Sequence, residues 1–218
     1  MTLSGIARVV GLSVALGVQD HAEAAPAAAP ATPEGCLDTL REQGVQLRPW
    51  PLRPVPSRSG VVCEAPGGLA IERGAERIRY LPPARVNCAF ALRLSRFEKI
   101  VQEEARSIMR GPVRSVEQLG TYNCRNMAAY PDLVSEHSFA NAIDISAFVF
   151  QGGRRVSVER DWVRAERPAG SSAALFLRRV TRRLFDEHVF SVVLTPSFDR
   201  HHRNHLHLDG AAYTLDGT

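Results

Sequence analysis

The sequence predicts an α+β domain built on a small antiparallel sheet flanked by two main helices. Two stretches, Ala89 to Met109 and Ser172 to about Glu187, repeat apolar residues with a helical period. Several shorter runs are apolar or alternating, as strands are. The helices and strands fall into separate blocks instead of alternating as βαβ units, which favours antiparallel pairing. With 218 residues, the chain suits one domain with a proper core, and 44% hydrophobic against 23% charged residues exclude a disordered chain or a membrane bundle.

Taken in order, residues 1–24 read as a secretory signal. Arg8 precedes an apolar run from Val9 to Val18, Gln19-Asp20-His21 ends that run, and Ala22-Glu23-Ala24 has the small-x-small form of a cleavage site. The run is far short of the roughly 20 residues a membrane span needs. No cysteine follows the cleavage site before Cys36, so a lipid anchor is not expected. Residues 25–34 form a Pro/Ala tether, and the domain occupies residues 35–218. Leu37 to Gln43 suits a short helix stopped by Gly44. The Pro- and Gly-rich segment that follows holds three brief strand candidates, Val61-Val62, Leu69-Ala70-Ile71 and Ile78-Arg79-Tyr80.

The first long helix ends at Gly111-Pro112, and its apolar positions are Phe90, Leu92, Leu94, Phe97, Ile100, Val101 and Ile108. The second carries Ala174, Leu175, Phe176, Val180, Leu184 and Phe185 on one face. Between and after them, Val113 to Tyr122, Asn141 to Phe150, Phe190 to Leu194 and His205 to Leu208 read as strands.

Cys36, Cys63, Cys88 and Cys124 stand apart from one another, which argues against a zinc knuckle or a redox C-x-x-C and for two disulfides. Sequential closure, Cys36 with Cys63 and Cys88 with Cys124, makes two moderate loops; the sequence leaves all three pairings open. Disulfides and a signal both point to an oxidising compartment, periplasmic or secreted. The formal charge is +4, and Lys99 is the only lysine among arginines. No basic stripe interleaved with aromatics is present, so nucleic acid is not an expected partner.

Four of the seven histidines lie within His201 to His207. If Leu206 and Leu208 face the core, period-two alternation turns His205, His207 and Asp209 to the opposite face. Upstream, His137 and Asp144 flank a turn that leads into an apolar strand. At that spacing they share no helical face, yet a loop folding back onto a strand brings them together. Imidazole nitrogens and one carboxylate suit zinc, and three protein ligands leave a fourth position open for chemistry.

Tyr122-Asn123-Cys124-Arg125, Ser135-Glu136-His137, Asn141 through Phe148, Asp161-Trp162, Phe176-Leu177, Val193 through Pro196 and His205 through Asp209 resemble the bacterial extensin-like C-terminal domain family, over roughly Gly35 to Asp209. That family is similar to the zinc peptidases grouped with D-Ala-D-Ala carboxypeptidases, lysostaphin-type enzymes and the hedgehog signalling domain, which share H-x6-D followed by H-x-H. The resemblance implies one zinc ion per chain on His137, Asp144 and His207. It also implies His205 as general base or oxyanion donor, His202 as a further active-site histidine, and Arg125 as a substrate-binding residue. The implied activity is hydrolysis of amide bonds in peptidoglycan peptides; the alternative is a non-catalytic cell-wall-binding module that uses the same cleft.

Two positions depart from the peptidase pattern. Ala140 replaces a glycine, and a backbone of positive φ there costs alanine about 1 kcal/mol. Asn204 stands where carboxypeptidase-type members carry a catalytic Glu; an amide takes no proton, so proton transfer falls to His205 or His202.

Overall fold

The structure is a computed structural model that describes residues 33–218. The expected signal peptide, and the expected tether as far as residue 32, lie outside the described residues. The chain runs α1 (Pro33–Glu42), β1 (Gln46–Pro49), β2 (Val55–Pro56), β3 (Val62–Cys63), β4 (Leu69–Arg73), β5 (Arg79–Val86) and α2 (Cys88–Glu104), which continues as a wider turn over Ala105–Met109. Then follow β6 (Val113–Gly120), a 3-10 turn (Glu136–Phe139), β7 (Ala142–Phe150), β8 (Arg155–Ser157), α3 (Val158–Asp161), α4 (Ser172–Asp186), β9 (Val192–Leu194), a second 3-10 turn (Arg200–His202), β10 (Leu206–Asp209) and β11 (Leu215–Gly217).

The α+β class and both long helices are as the sequence predicts. Asn87 caps α2 by accepting from the Phe90 backbone N–H at 2.8 Å, and Ser171 caps α4 by accepting from Ala174 at 3.1 Å. The sheet is larger than expected. Nine strands pair in the order β1-β4-β5-β6-β7-β10-β9-β11, with β8 also on β7. It is also mixed, because β5 pairs with β6 and β9 with β11 in parallel. The first of these pairs is joined by α2 as a crossover, the βαβ unit that the Pro-rich strand segment concealed from a sequence reading.

The core lies where α2 and α4 meet β7. Phe97 and Phe176 pack on Phe148 with ring centroids 6.4 and 5.2 Å away, and Phe176 also meets Phe150 at 5.2 Å. Each such buried aromatic contributes on the order of 2 to 3 kcal/mol. β7 reaches this core from both halves because it bulges. Glu117 pairs with Ala147 and Gln118 with Ile145, so Ser146 has no opposite residue. The alternation therefore resets, and Ile143, Ile145, Phe148 and Phe150 all join one core.

Buried polar groups fix α2 against the sheet. Glu98, fully buried, accepts from the Tyr80 hydroxyl at 2.7 Å and the Glu76 backbone N–H at 2.8 Å. Burial pushes its carboxyl up to about 7. Gln102 both donates to and accepts from the Val113 backbone at 2.9 Å, which supplies a strand neighbour where β6 begins.

The disulfides are Cys36–Cys88 and Cys63–Cys124, so sequential closure is not the pairing. The reason is tertiary. Leu40 of α1 is buried in the core and Cys36, one turn earlier, sits over the start of α2. β3 in turn lies beside the loop that follows β6. Replacing Cys36 and Cys88 together by serine should lower stability by about 4 kcal/mol, the chain-entropy value for a loop of this length. The shift of the urea midpoint measures it, and an unchanged midpoint would show that the staple adds nothing to α1 packing.

Candidate metal centre

Alternation on two neighbouring strands builds the site. Leu206 and Leu208 on β10 and Ile143 and Ile145 on β7 are fully buried in the core, which turns His207 and Asp144 to the opposite face. The strands are antiparallel with His207 directly across from Asp144. His207 Nδ1 lies 2.9 Å from Asp144 Oδ1.

His137 arrives from the turn between β6 and β7. Ser135 caps that turn, and the Ser138 hydroxyl contacts the carbonyls of Asn123 and Arg125 at 3.2 and 2.9 Å. The turn closes at Ala140 with φ of 51°, the left-handed conformation for which glycine is suited. His137, 2% exposed, places Nε2 at 3.2 Å from Asp144 Oδ2 and 3.3 Å from His207 Nδ1.

These spacings fit an ion. Ligands about 2.05 Å from a tetrahedral zinc sit about 3.3 Å from one another; His137 Nε2 and His207 Nδ1 are 3.3 Å apart, and one atom from each of the three side chains falls within 4.8 Å of the others. The outer nitrogens fit as well. His137 Nδ1 lies 3.2 Å from the Thr121 carbonyl and His207 Nε2 lies 3.0 Å from Asp209 Oδ2. With an ion bound, each acceptor would take the ring N–H and leave the lone pair of the other nitrogen to the ion, as metal-binding histidines require.

His205 and His202 stand beside the three. His205 Nε2 is 3.6 Å from Asp144 Oδ1, while its Nδ1 is held at 2.9 Å by the Asn204 side-chain oxygen. His202 Nδ1 is 2.7 Å from Asp199 Oδ1, and the same oxygen accepts from the backbone of His201 and His202. The His202 ring lies 5.3 Å from His205 and 5.8 Å from His207. Burial lowers the pKa of both His202 and His205 against the pull of Asp199 and Asp144, so each imidazole is neutral and basic near neutral pH.

The cleft over the cluster has a volume of about 250 Å³ and takes in Arg125, Tyr130, Glu136, Phe198 and Tyr213 with the histidines. Arg125 is fixed by its backbone, which accepts from Ser135 at 3.1 Å and donates to Ser138 at 3.0 Å, next to the Cys63–Cys124 bond. A larger depression of about 810 Å³ runs along α4 past Trp162 and Arg178, and none of these site residues line it. Of the six residues singled out in the sequence, Arg125, Asp144, His202, His205 and His207 line the smaller cleft, and His137 lies buried against Asp144 and His207. The supports were missed as supports: Thr121 acts through a backbone atom, Asp199 stands three residues before His202, and Asp209 was visible only as a residue on the His207 face.

Burial works to raise the Asp144 carboxyl, but hydrogen bonds from His137 and His207 outweigh it and hold it well below the usual carboxylate range. Burial works to lower His207, and its bonds to Asp144 and Asp209 win, raising it to about 9. In metal-free protein, His207 therefore stabilises the fold fully below its ordinary 6.5 and loses that effect as pH rises through about 9. Asp144 stabilises above its ordinary 3.8 and loses its effect in acid. In chelator, the melting temperature should fall between pH 6.5 and 9, and Asp144→Asn should flatten that fall. A flat profile in the parent would mean that Asp144 and Asp209 do not hold His207 charged.

Compared with known proteins, the chain matches the family model described as extensin-like protein C-terminus over residues 34–217. Neither a curated protein nor a solved structure matches it. The match spans the whole sheet and every residue of the cleft, and on it the chain belongs to the extensin-like protein C-terminus family.

Proposed function

We propose that this domain is an exported zinc-dependent hydrolase that cleaves amide bonds in peptidoglycan peptides, as a carboxypeptidase or an endopeptidase, with one ion on His137, Asp144 and His207. The observation that carries the reading is the convergence of three donor atoms whose outer nitrogens are each held by an acceptor. The motif likeness to zinc peptidases of the cell wall supports the substrate class. Two disulfides and the signal-like leader support a periplasmic or secreted location.

A zinc ion held there supplies a Lewis acid for the scissile carbonyl and acidifies water toward neutral pKa. The chain's own residues do the rest. His205 takes and returns the proton through Nε2, because Asn204 holds its Nδ1–H. Asn204, which replaces the carboxylate base of the carboxypeptidases, thus orients the base in its stead. Asp199 holds the Nδ1–H of His202 in the same way, which leaves its Nε2 as a second proton acceptor beside His205. Arg125 binds a substrate carboxylate or carbonyl at the wall of the cleft.

Asn204 also favours a second reading, a cell-wall-binding module that uses this cleft without catalysis. Incubation with purified sacculi separates the two: new muropeptide fragments support the hydrolase, and retention of protein on sacculi without fragments supports the module.

Mature protein should carry one zinc per chain by mass spectrometry, and His207→Ala should carry none. Asp209→Asn keeps all three ligands and should weaken zinc about 10- to 100-fold, read by competition with a chelator. His205→Ala should keep its zinc and lose turnover by about 10²- to 10⁴-fold. Full activity of His205→Ala would remove it from the reaction, and a metal-free wild type would remove the hydrolase.

A further inference from the structure

Three of the four carboxylates that line the cleft are committed. Asp144 contacts His137 and His207, Asp209 contacts His207, and Asp199 contacts His202. Glu136 differs. It is half-buried, its Oε2 accepts from the Asn141 side-chain amide at 2.6 Å, and among the described residues no cation pairs with it. His207 and His137 attract it only from beyond ion-pair distance, so this carboxylate, partly withdrawn from water, is open to a cation from the ligand.

Tyr213 supplies a second, independent observation. It is 49% exposed and lines the same cleft as Glu136. A carboxylate and an exposed aromatic ring lining one cleft are the chemistry that recognises an ammonium group. Arg125, on the same cleft, meets no acid among the described residues; its guanidinium contacts only the Asn126 carbonyl, at 3.5 Å. The cleft thus offers one uncommitted negative and one uncommitted positive side chain.

We propose that Glu136 and Tyr213 form an ammonium subsite, so that the ligand is a peptide carrying a primary amine near the bond presented to His137, Asp144 and His207, with its carboxylate on Arg125. The proposal rests on the hydrolase reading for the identity of that bond, and binding alone tests it. Glu136→Gln keeps an oxygen for Asn141 and removes only the charge, so a purely structural Glu136 tolerates it.

The test is calorimetric titration of the protein, as purified, with lysyl-D-alanine and with its Nε-acetyl and Nα-acetyl forms. The wild type should bind the free dipeptide about tenfold more tightly than one of the acetylated forms, and which form loses affinity identifies the amine. Glu136→Gln should reduce the preference to under about twofold, and Tyr213→Ala should reduce it partly. Equal binding of all three dipeptides, an undiminished preference in Glu136→Gln, or no binding at millimolar concentration overturns the subsite. Mass spectrometry of the same samples reads cleavage separately. Preference without cleavage keeps the subsite and counts against the hydrolase; cleavage without preference does the reverse.

Discussion

The pairing of β7 with β10 is the constraint on which the site depends. Ile143 and Ile145 on one strand and Leu206 and Leu208 on the other need the core, and the backbone then has no choice about Asp144 and His207. They face the other way and, in this register, face each other. A slip by one residue would bury a charged carboxylate among phenylalanines and put leucines in the cleft, so hydrophobic burial enforces the geometry of the polar cluster. The bulge at Ser146 belongs to the same constraint, since it lets the far half of β7 return Phe148 and Phe150 to the helices without disturbing Asp144.

Around that pair, oxygen atoms decide which nitrogen of each imidazole is free. Thr121, Asp209, Asn204 and Asp199 each hold one ring nitrogen of His137, His207, His205 and His202. Four histidines packed this closely would otherwise share many tautomers and orientations. The turn that delivers His137 carries a cost of its own, since Ala140 is both fully buried and left-handed. Such strain of about 1 kcal/mol persists only where surrounding contacts over-determine the backbone. Here the Ser135 cap and the Ser138 contacts to the 123–125 loop do so.

How much of this was legible in the sequence follows from which forces leave a periodic trace. The apolar faces of α2 and α4 and the alternation around His207 are written at fixed spacing, so the helices and the facing of the ligands could be read. Gln46-Leu47-Arg48-Pro49 forms the mostly exposed edge strand β1, whose residues need no alternation, and it left no signal. The parallel β5–β6 pairing was hidden because only the run Ile78-Arg79-Tyr80, at the start of β5, reads as a strand, and Pro82-Pro83 breaks the pattern before α2. Cysteine pairing depends on α1 lying across α2, a contact between distant segments. Within the cleft, a side chain that bonds metal or proton has a recognisable type, whereas the Thr121 carbonyl has none. Glu136 needed its neighbours Asn141, Asp209 and Tyr213 in place before its lack of a cation meant anything.

The Cys63–Cys124 bond gives the cleft a history as well as a shape. It ties the segment that carries Arg125 to β3, outside the main sheet, while the strands that hold Asp144 and His207 are secured by sheet pairing and core packing, with no disulfide of their own. A newly made chain kept reduced can therefore assemble the floor of its cleft before the wall is fastened. The wall is locked only where thiols are oxidised, so the finished cleft depends on the redox state of its surroundings as well as on the fold.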